Sequence, residues 1–447
     1  MTFPFQDSGP VAFAGPLPDR ADLVIIGGGV IGVATALYAA RRGLGVVLCE
    51  KGRVAAEQSS RNWGWIRVQG RDLDEVPIAL EAQRLWHDLN VECRGRLGLR
   101  AVGVSYLART EAQLARFSGW LDAARPLGVS SRLLDRAETR TLMGEPAMPW
   151  IGALHTPTDL KAEPWVAVPE LARLAREAGA TLIERCAVRS LDRAAGRVAG
   201  VTTEAGRIAC DQVVLAGGAW SALFLRRHGI DLPQLSVRAT AMATGPLPQI
   251  VPGAGVDDRL AFRPRDDGGY TLAPAAYSEL FLGPDAMRHA RRYLPLAMTG
   301  AFDVHLRLRS PRGFPDAFTT PRFWTGDEIS PFERMRILNP APAAEKVEEI
   351  RRRFAQAWPS LGRVDLRAAW AGMIDVLPDV VPAVDRVAKL PGLIVATGMC
   401  GHGFGIGPAF GRILADMAAG QAPDHDLTRF ALARFAAGTK LRPGPNL

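Results

Sequence analysis

Residues 23–50 read LVIIGGGVIGVATALYAARRGLGVVLCE, and this stretch decides the fold. It opens with four apolar residues, which is typical of a strand buried in a parallel sheet. A glycine-rich turn follows, and residues 33–42 have the composition of a helix that Gly43 stops. Residues 46–49 are apolar again and end at Glu50. The stretch predicts a complete β-α-β unit, and we expect an α/β fold.

The turn in this unit carries the pattern G-x-G-x-x-G, formed by Gly27, Gly29 and Gly32. Gly27 permits a tight turn, Gly29 lets the backbone approach a pyrophosphate, and Gly32 lets the helix pack closely on the strand. The helix N-terminus supplies unpaired N–H groups for the phosphates. Glu50 lies at about the 20-residue spacing expected for an acid that binds the adenosine ribose. The unit predicts a dinucleotide cofactor but does not by itself separate FAD from NAD.

Two further glycine-containing segments favour a flavin. Residues 57–65, EQSSRNWGW, come soon after the second strand, and their hydroxyl, amide and guanidinium groups suit a bound diphosphate. Residues 398–408, GMCGHGFGIGP, join a buried apolar strand to a helix predicted over 407–419. So many glycines indicate that the backbone passes very close to a ligand. An aromatic ring system with hydrogen-bonding edges fits that position.

Four motifs, in this order, resemble the D-amino-acid oxidase family of flavoproteins, which includes glycine oxidase, sarcosine oxidases and bacterial D-amino-acid dehydrogenases. They are the opening β-α-β unit, SRNWG at 60–64, AGGAWS at 216–221 and GHGF at 401–404. Together they span nearly the whole chain. The resemblance implies a Rossmann-like FAD-binding domain, a second, mainly antiparallel α+β substrate domain, and FAD held without a covalent bond.

The resemblance also implies which residues hold FAD. Residues 59–64 would hold the diphosphate and reach the flavin, and Val188 would offer its backbone to the adenine. Residues 401–406 would line the pyrimidine edge, where a helix N-terminus stabilises the negative charge of reduced flavin. The full expected set is Gly27, Gly29, Val30, Ile31, Gly32, Glu50, Lys51, Ser59, Ser60, Arg61, Asn62, Trp63, Gly64, Val188, Ala216, Gly217, Trp220, Gly372, Gly401, His402, Gly403, Phe404, Gly405 and Ile406.

The chain departs from the family pattern at three places. The glycine–methionine pair at 372–373 is not followed by the arginine that anchors the substrate carboxylate in glycine oxidase and D-amino-acid oxidase. Thr271 stands where sarcosine oxidases place an oxygen-activating lysine, so we expect slow reoxidation by oxygen and a better dye or quinone acceptor. Residues 370–378 contain no cysteine, which excludes covalent flavin attachment there.

Trp65, Arg67, Thr271 and His402 are the candidates for catalytic roles. Trp65 and Arg67 follow the diphosphate loop and are expected to point toward the flavin. Arg67 is the candidate clamp for a substrate carboxylate through two hydrogen bonds, and the alternative is an ion pair with a nearby acid such as Asp72. His402 is expected to hydrogen-bond the flavin or the backbone rather than act as a base.

The α/β segments lie at the start, the middle and the end of the chain, and alternating segments such as 235–244 and 260–274 lie between them. We therefore expect a discontinuous FAD-binding domain that the substrate domain interrupts twice. The predicted FAD-binding segments are 21–95, 156–230 and 365–425, and the substrate segments are 96–155 and 231–364. Residues 299–341 show no period, which predicts a long loop that acts as a lid or a partner surface.

Composition narrows the class of protein. The net charge of +8 is carried almost wholly by arginines interspersed with acids, so we expect no nucleic-acid partner. The 5 cysteines are scattered without a C-x-x-C pair, which argues against a disulfide framework and a zinc site, and no metal is expected. No stretch is apolar for long enough to span a bilayer, and the first residues lack a secretion signal, which favours a cytoplasmic location.

The expected reaction is hydride transfer from a carbon beside an amine nitrogen to FAD, which gives an imine. D-amino acids, N-alkyl amino acids and opines are all compatible small-molecule substrates, and the electron acceptor is oxygen or a quinone or dye. Two other functions stay open at this point. One is modification of the wobble uridine of tRNA, and the other is the flavin subunit of a hetero-oligomeric dehydrogenase.

Overall fold

The computed structural model describes residue 5 and residues 9–299, 303–436 and 438–444. Its helices are α1 (Val30–Arg41), α2 (Gln58–Arg61), α3 (Val76–Glu92), α4 (Glu111–Ala124), α5 (Arg136–Leu142), α6 (Pro164–Glu177), α7 (Ser221–Arg227), α8 (Pro284–Met298), α9 (Pro331–Arg334), α10 (Ala344–Ala357) and α11 (Gly403–Ala418).

The strands are β1 (Leu23–Ile26), β2 (Val46–Cys49), β3 (Trp65–Ile66), β4 (Arg100–Ala101), β5 (Val104–Ala108), β6 (Arg132–Leu134), β7 (Gly152–Thr156), β8 (Leu160–Lys161), β9 (Thr181–Ile183), β10 (Val188–Ala194), β11 (Arg197–Thr203), β12 (Gly206–Ala209), β13 (Gln212–Leu215), β14 (Leu235–Thr244), β15 (Ala254–Val256), β16 (Ala261–Pro264), β17 (Tyr270–Ala273), β18 (Tyr277–Phe281), β19 (Asp303–Arg307), β20 (Leu366–Val376), β21 (Ala383–Arg386) and β22 (Leu393–Thr397).

One sheet has six strands in the order β21-β22-β13-β1-β2-β9. All neighbours are parallel except β21 and β22. Every residue of β1, β2 and β22 is buried, as expected for strands covered on both faces. Helix α1 packs tightly against α11, because Gly411 meets Ala34 where a side chain on the glycine would overlap its neighbour. The predicted β-α-β unit therefore forms the centre of this sheet.

The second large sheet has the order β19-β18-β14-β17-β16-β15-β5-β7-β6, and β20 also pairs with β14. Two of its pairs, β15 with β5 and β18 with β19, are parallel, and the other pairs are antiparallel. Strand β20 falls in the segment 365–425 predicted for FAD binding, yet it pairs with β14 from Val376 to Leu366. This strand thus joins the two sheets, because β21 and β22 of the first sheet follow it directly.

Two small sheets complete the fold. In one, β8 lies between β3 and β4, so that Trp65 is paired with Lys161, and Lys161 also with Arg100. The other is the antiparallel ribbon β10-β11-β12. No helix among the described residues combines the length and the apolar character needed to cross a membrane.

The structure differs from the sequence-based expectation mainly around residues 299–341. Residues 300–302 lie outside the described residues, but β19 and α9 fall within the segment predicted to be a loop. All five residues of β19 are exposed at the edge of the sheet, so the polar–apolar alternation from Asp303 to Arg307 spans only five residues and marks no buried face. Helix α11 begins at Gly403, four residues earlier than the predicted 407–419, because glycine content hides a helical N-terminus from a propensity argument.

Candidate active site

A single cavity of about 880 Å³ runs from Glu50, beside the six-stranded sheet, to the antiparallel sheet. Helices α1 and α11 both present their N-terminal residues to it, and neither has an acidic residue in its first turn. A helix N-terminus carries partial positive charge and unpaired N–H groups. The cavity therefore has two ready positions for negatively charged parts of a ligand.

The glycines of the first turn leave no room for side chains. At Gly27 the backbone has φ of +109°, and a Cβ atom there would overlap the carbonyl oxygen of Ala216. A Cβ atom at Gly32 would overlap the carbonyl oxygen of Gly27, while one at Gly29 would lie 3.1 Å from the Ser59 hydroxyl. That hydroxyl accepts a hydrogen bond of 2.8 Å from the N–H of Val30. The two segments that sequence assigned to the phosphates are thus in contact.

Glu50 lies at the far end of the cavity, where β2 ends. Its carboxylate accepts hydrogen bonds of 2.7 Å from the N–H groups of Gly28 and Gly52. Burial raises the pKa of Glu50 to about 7, against the lowering effect of Lys51 and of these hydrogen bonds. Lys51 itself pairs with Glu57 and lies 4.4 Å from the ring centre of Trp220.

The loop after Glu57 contains both wall residues and internal braces. Ser59, Arg61, Asn62 and Trp63 lie on the cavity wall, and Ser60 is fully buried behind it, with its hydroxyl donating to the Glu57 carbonyl. The Arg61 guanidinium donates to the carbonyl oxygens of residues 56 and 371 and to the side chain of residue 339. These contacts hold the loop against β20, so Arg61 acts as a brace.

The second half of that loop turns sharply at Gly64, where φ is +77°. A Cβ atom there would overlap the carbonyl oxygen of Ala162, and the Arg263 guanidinium lies 3.1 Å from the same point. The indole rings of Trp63 and Trp65 meet edge to face at 5.1 Å, and both line the cavity. The turn thereby places two aromatic rings on the wall.

The C-terminal glycine segment forms the opposite side of the cavity. Residues 399–404 line it, while Gly405 and Ile406 lie behind them in α11. Gly398 and Gly401 adopt φ values of +66° and +81°. The buried carboxylate of Asp375 accepts the Gly398 N–H at 2.7 Å and the Thr397 hydroxyl at 3.3 Å, which fixes the entry to the helix.

The remaining cofactor residues expected from sequence also cluster here. Val188, Ala216, Gly217, Trp220 and Gly372 all lie on the cavity wall. Together with the glycine turn, the buried acid and the two helix N-termini, these residues fit FAD: they offer space for a pyrophosphate, an acceptor for a ribose and backbone groups for a ring edge.

Beside residues 57–65, which we call the flavin loop, the wall is cationic. Arg67 lies on it, stacked at 5.3 Å over the ring of Tyr106, and its guanidinium donates to the Gln69 carbonyl. Within the described part of the chain Arg67 pairs with no carboxylate, and Asp72 pairs with Arg429 instead. The alternative reading of Arg67 as the partner of Asp72 is therefore wrong.

Sequence reasoning missed three charged residues behind Arg67. Arg71 is 3% exposed on the cavity wall, and its Nε lies 3.4 Å from Oε1 of the fully buried Glu75. Asp159 is also fully buried, and it accepts hydrogen bonds from the Val68 N–H and the side chain of residue 83. The four-residue spacing of Arg67, Arg71 and Glu75 was the available signal, whereas nothing local indicated Asp159.

His402 belongs to the same cluster. Its Nδ1 lies 3.5 Å from Glu75 Oε1. Burial, reinforced by Arg71, lowers the pKa of His402 to about 4, so the imidazole is neutral at pH 7. It lines the cavity at the start of α11, which is where sequence placed it.

Part of the cavity wall is apolar. It is formed by residues of the antiparallel sheet and of α8, namely Leu235, Val237, Ala239, Tyr277, Leu280, Tyr293, Leu296, Ile374 and Val376. Tyr293 is fixed by hydrogen bonds from its hydroxyl to the carbonyl oxygens of residues 233 and 376. The cavity therefore offers an apolar surface as well as a cationic one.

Thr271 does not lie on the cavity wall. It is 2% exposed, and its hydroxyl accepts a hydrogen bond of 3.3 Å from Arg263. Arg263 is held by two 2.8 Å hydrogen bonds to Glu163 and one of 2.6 Å to the Trp63 carbonyl. The sequence argument took this position to lack positive charge, but a buried guanidinium stands beside it.

A family model described as "DAO: FAD dependent oxidoreductase" matches residues 22–417. Mitochondrial sarcosine dehydrogenase of Homo sapiens is 29% identical over 59% of this chain, which spans only 30% of the length of that protein. Glycine oxidase of Geobacillus kaustophilus is 26% identical over 93% of this chain and 97% of its own. The solved structure of an L-amino acid deaminase from Proteus myxofaciens is 29% identical, with a TM-score of 0.91 over 96% of this chain and 97% of that one. The chain belongs to the family of FAD-dependent oxidoreductases.

Proposed function

We propose that this protein oxidises the Cα–N bond of L-α-amino acids with apolar side chains, using FAD as hydride acceptor and giving an imino acid. The observation that carries the proposal is the asymmetry of the cavity, which has guanidinium groups on one wall and aliphatic and aromatic side chains on another. An α-amino acid with an apolar side chain has the same asymmetry. Hydrolysis of the imine by water completes the deamination.

Arg67 is the proposed partner of the substrate carboxylate. It lies on the cavity wall beside Trp65, and the ring of Tyr106 supports its guanidinium. A planar guanidinium can donate two parallel hydrogen bonds to a carboxylate, which fixes orientation as well as position. Fixing the carboxylate at one end leaves rotation about a single axis, and the apolar wall then restricts the side chain.

The residues of the chain contribute orientation and exclusion of water. FAD, when bound, supplies the hydride acceptor. Leu280, Leu296 and Ile374 favour a substrate with an apolar side chain. Burial of that side chain against them is favourable by roughly 25 cal/mol for each Å² of apolar surface removed from water. Holding the Cα–H bond in one reactive geometry lowers the barrier, because the cost of orienting the substrate is met on binding. The neutral His402 contributes no charge to the site at pH 7.

Similar proteins support the choice of substrate class. The Proteus myxofaciens structure is described as an L-amino acid deaminase in complex with anthranilate, a carboxylate on an aromatic ring. An L-amino acid deaminase from Proteus vulgaris is 28% identical with a TM-score of 0.90. Glycine oxidase and N-methyl-L-tryptophan oxidase are also similar over most of this chain, so N-methyl amino acids are the second substrate class to test.

A tRNA substrate is disfavoured by how the arginines are used. Many of them pair with acids rather than forming one basic face, for example Arg189 with Glu333 and Arg336 with Glu204. The role of flavin subunit in a larger dehydrogenase has one supporting observation: the chain is 26% identical over 93% of its length to the beta subunit of a sarcosine oxidase from Rhizobium meliloti. Copurification of a partner chain would favour that role.

The test is a substrate panel without oxygen, read by bleaching of the visible absorbance of bound FAD. We expect bleaching with L-phenylalanine and L-leucine, and much slower bleaching with their D-enantiomers, glycine and sarcosine. Bleaching by glycine or sarcosine at rates equal to L-phenylalanine would contradict the proposed side-chain preference. Bleaching by D-amino acids alone would reverse the stereochemical assignment. Oxygen, a quinone and a dye are then compared as acceptors for the reduced enzyme.

A further inference from the structure

Arg71 has an unsatisfied guanidinium on the cavity wall. Its Nε lies 3.4 Å from Glu75 Oε1 and donates at 3.4 Å to the Arg67 carbonyl oxygen. Its Nη1 is buried and has no hydrogen-bond partner among the described residues. The residue is only 3% exposed, so bulk water does not serve as that partner.

Such a group is costly unless something pairs with it. A buried donor without an acceptor costs about 1–3 kcal/mol, and more when it carries charge. Native structures keep such groups mainly at sites where a ligand, an ion or an ordered water completes the hydrogen bonding. A second donor on the same wall, the buried Nε1 of Trp65, also lacks a partner among the described residues. Both oxygens of Glu75 and Oδ2 of Asp159, behind this wall, also have no hydrogen-bond partner among the described residues. The cluster therefore lacks polar partners that a ligand or an ordered water would supply, and the two donors on the wall require an acceptor.

The charges around Arg71 indicate that this acceptor is an anion. Arg67 and Arg71 bring two guanidinium groups to the wall, and burial together with Arg67 lowers the pKa of Arg71 to about 10, so Arg71 stays charged at pH 7. Glu75 supplies a negative charge beside them, because neighbouring cations hold the pKa of this buried carboxyl below its ordinary value. Burial raises the pKa of Asp159 to about 7, and His402 is neutral. At pH 7 the cluster therefore keeps part of a positive charge without compensation.

We infer that Arg71 is a second anchor for the substrate carboxylate and forms, with Arg67, a carboxylate-binding site of two guanidinium groups. Nε of Arg71 donates to the Arg67 carbonyl oxygen and lies 3.4 Å from Glu75 Oε1, which leaves the Nη edge for the ligand. The inference rests on the proposed function, because it requires a substrate with a carboxylate at this wall. It adds a residue that the sequence motifs do not assign and that would make the site selective for anionic over neutral amines.

The test compares anthranilate with its neutral amide, 2-aminobenzamide, which has nearly the same shape. Each is titrated into the FAD-containing enzyme, and its dissociation constant is measured from the change in visible flavin absorbance. We expect Arg71→Met to weaken anthranilate by about tenfold or more and to change the amide by less than about twofold, because only the anion uses the charged donor. Arg42→Met, which removes a partly buried guanidinium paired with Asp416 outside the cavity, is the matched control and should change neither ligand.

Two further variants make each outcome decisive. If Arg71→Met yields no FAD-containing protein, Arg71→Lys replaces it, and the loss of the planar fork should still weaken anthranilate selectively. Equal weakening of both ligands, or none, would overturn the inference. Arg67→Met is measured in parallel. If Arg67→Met loses the preference for anthranilate and the Arg71 variants keep it, this inference is wrong and the proposed function is unaffected. A wild-type enzyme with no preference for anthranilate over the amide would count against the proposed function itself.

Discussion

The two ends of the cavity are built in different ways. At the dinucleotide end the chain offers backbone: Gly27 and Gly32 have no space for a side chain, and the contacts are N–H groups and a helix terminus. At the substrate end it offers buried charges, with Arg67 and Arg71 on the wall and Glu75 and Asp159 behind them. The dinucleotide end depends on the absence of side chains at its glycines. The substrate end depends on buried charged side chains that compensate one another.

The difference has consequences for how each end fails. A side chain in the glycine turn removes the space for the ligand, so its effect is all or none. A change in the charged cluster shifts the energy of an anion by an amount set by distance and burial, so its effect is graded. Four substitutions test this contrast, from the largest expected effect to the smallest.

Gly29→Val should abolish FAD binding. Its side chain would start 3.1 Å from the Ser59 hydroxyl and occupy the position of the pyrophosphate. The measurement is the amount of FAD released by heat from purified protein. Gly119→Ala is the matched control, since a Cβ atom there meets nothing within 4 Å, and it should keep full FAD content. Retention of FAD by Gly29→Val would show that the dinucleotide end tolerates a side chain at this position.

Glu163→Gln should destabilise the contact between the flavin loop and the antiparallel sheet. Glu163 holds the buried Arg263, which in turn holds the Trp63 carbonyl of the flavin loop against the antiparallel sheet. Removing one partner of a buried ion pair typically costs about 3–5 kcal/mol. The free energy of unfolding by urea measures the loss, and Glu348→Gln, in an exposed pair with Arg351, should cost far less. Equal costs would mean that Arg263 is satisfied by its carbonyl partners alone.

Arg67→Met should weaken the binding of an amino-acid substrate and leave FAD content unchanged. Loss of a desolvated charge pair costs about 2–5 kcal/mol, which corresponds to at least about 30-fold in the dissociation constant. The apparent dissociation constant comes from anaerobic flavin reduction at increasing L-phenylalanine concentration. An unchanged constant would make Arg67 structural, and the carboxylate would then have to bind elsewhere on the wall.

Anthranilate binding should weaken as the pH rises through about 7. Asp159 has a pKa raised by burial to about 7, so it is mostly protonated below that pH and mostly ionised above it. Ionised Asp159 compensates Arg67 and Arg71 and reduces the attraction for an anion, by about threefold to tenfold at an effective dielectric constant near 20. Titrations on either side of pH 7 measure the change. The variant Asp159→Asn should bind with a flat profile, and a slope that survives in it would assign the titration to another group.

Sequence was sufficient where local residues decide the structure. The β-α-β unit was predicted from the apolar runs of β1 and β2 and from the glycines between them. Residues adjacent along the chain are enough to indicate a strand buried on both faces and a tight turn. The resemblance of four short motifs then predicted the family, which the family match confirms. Sequence failed at β19, an exposed edge strand whose polar–apolar alternation spans only five residues and buries neither face.

The sequence by itself therefore determined the parallel sheet, the dinucleotide turn and the FAD-dependent class of this protein. Only the tertiary structure decided the charge of the substrate end. It brought Asp159 and His402 beside Arg71 and Glu75, and it put Arg263 next to Thr271, where the sequence argument had found no positive charge. The physical reason is that backbone geometry depends on neighbours along the chain. The state of a buried charge instead depends on desolvation and on partners that only folding brings within a few ångströms.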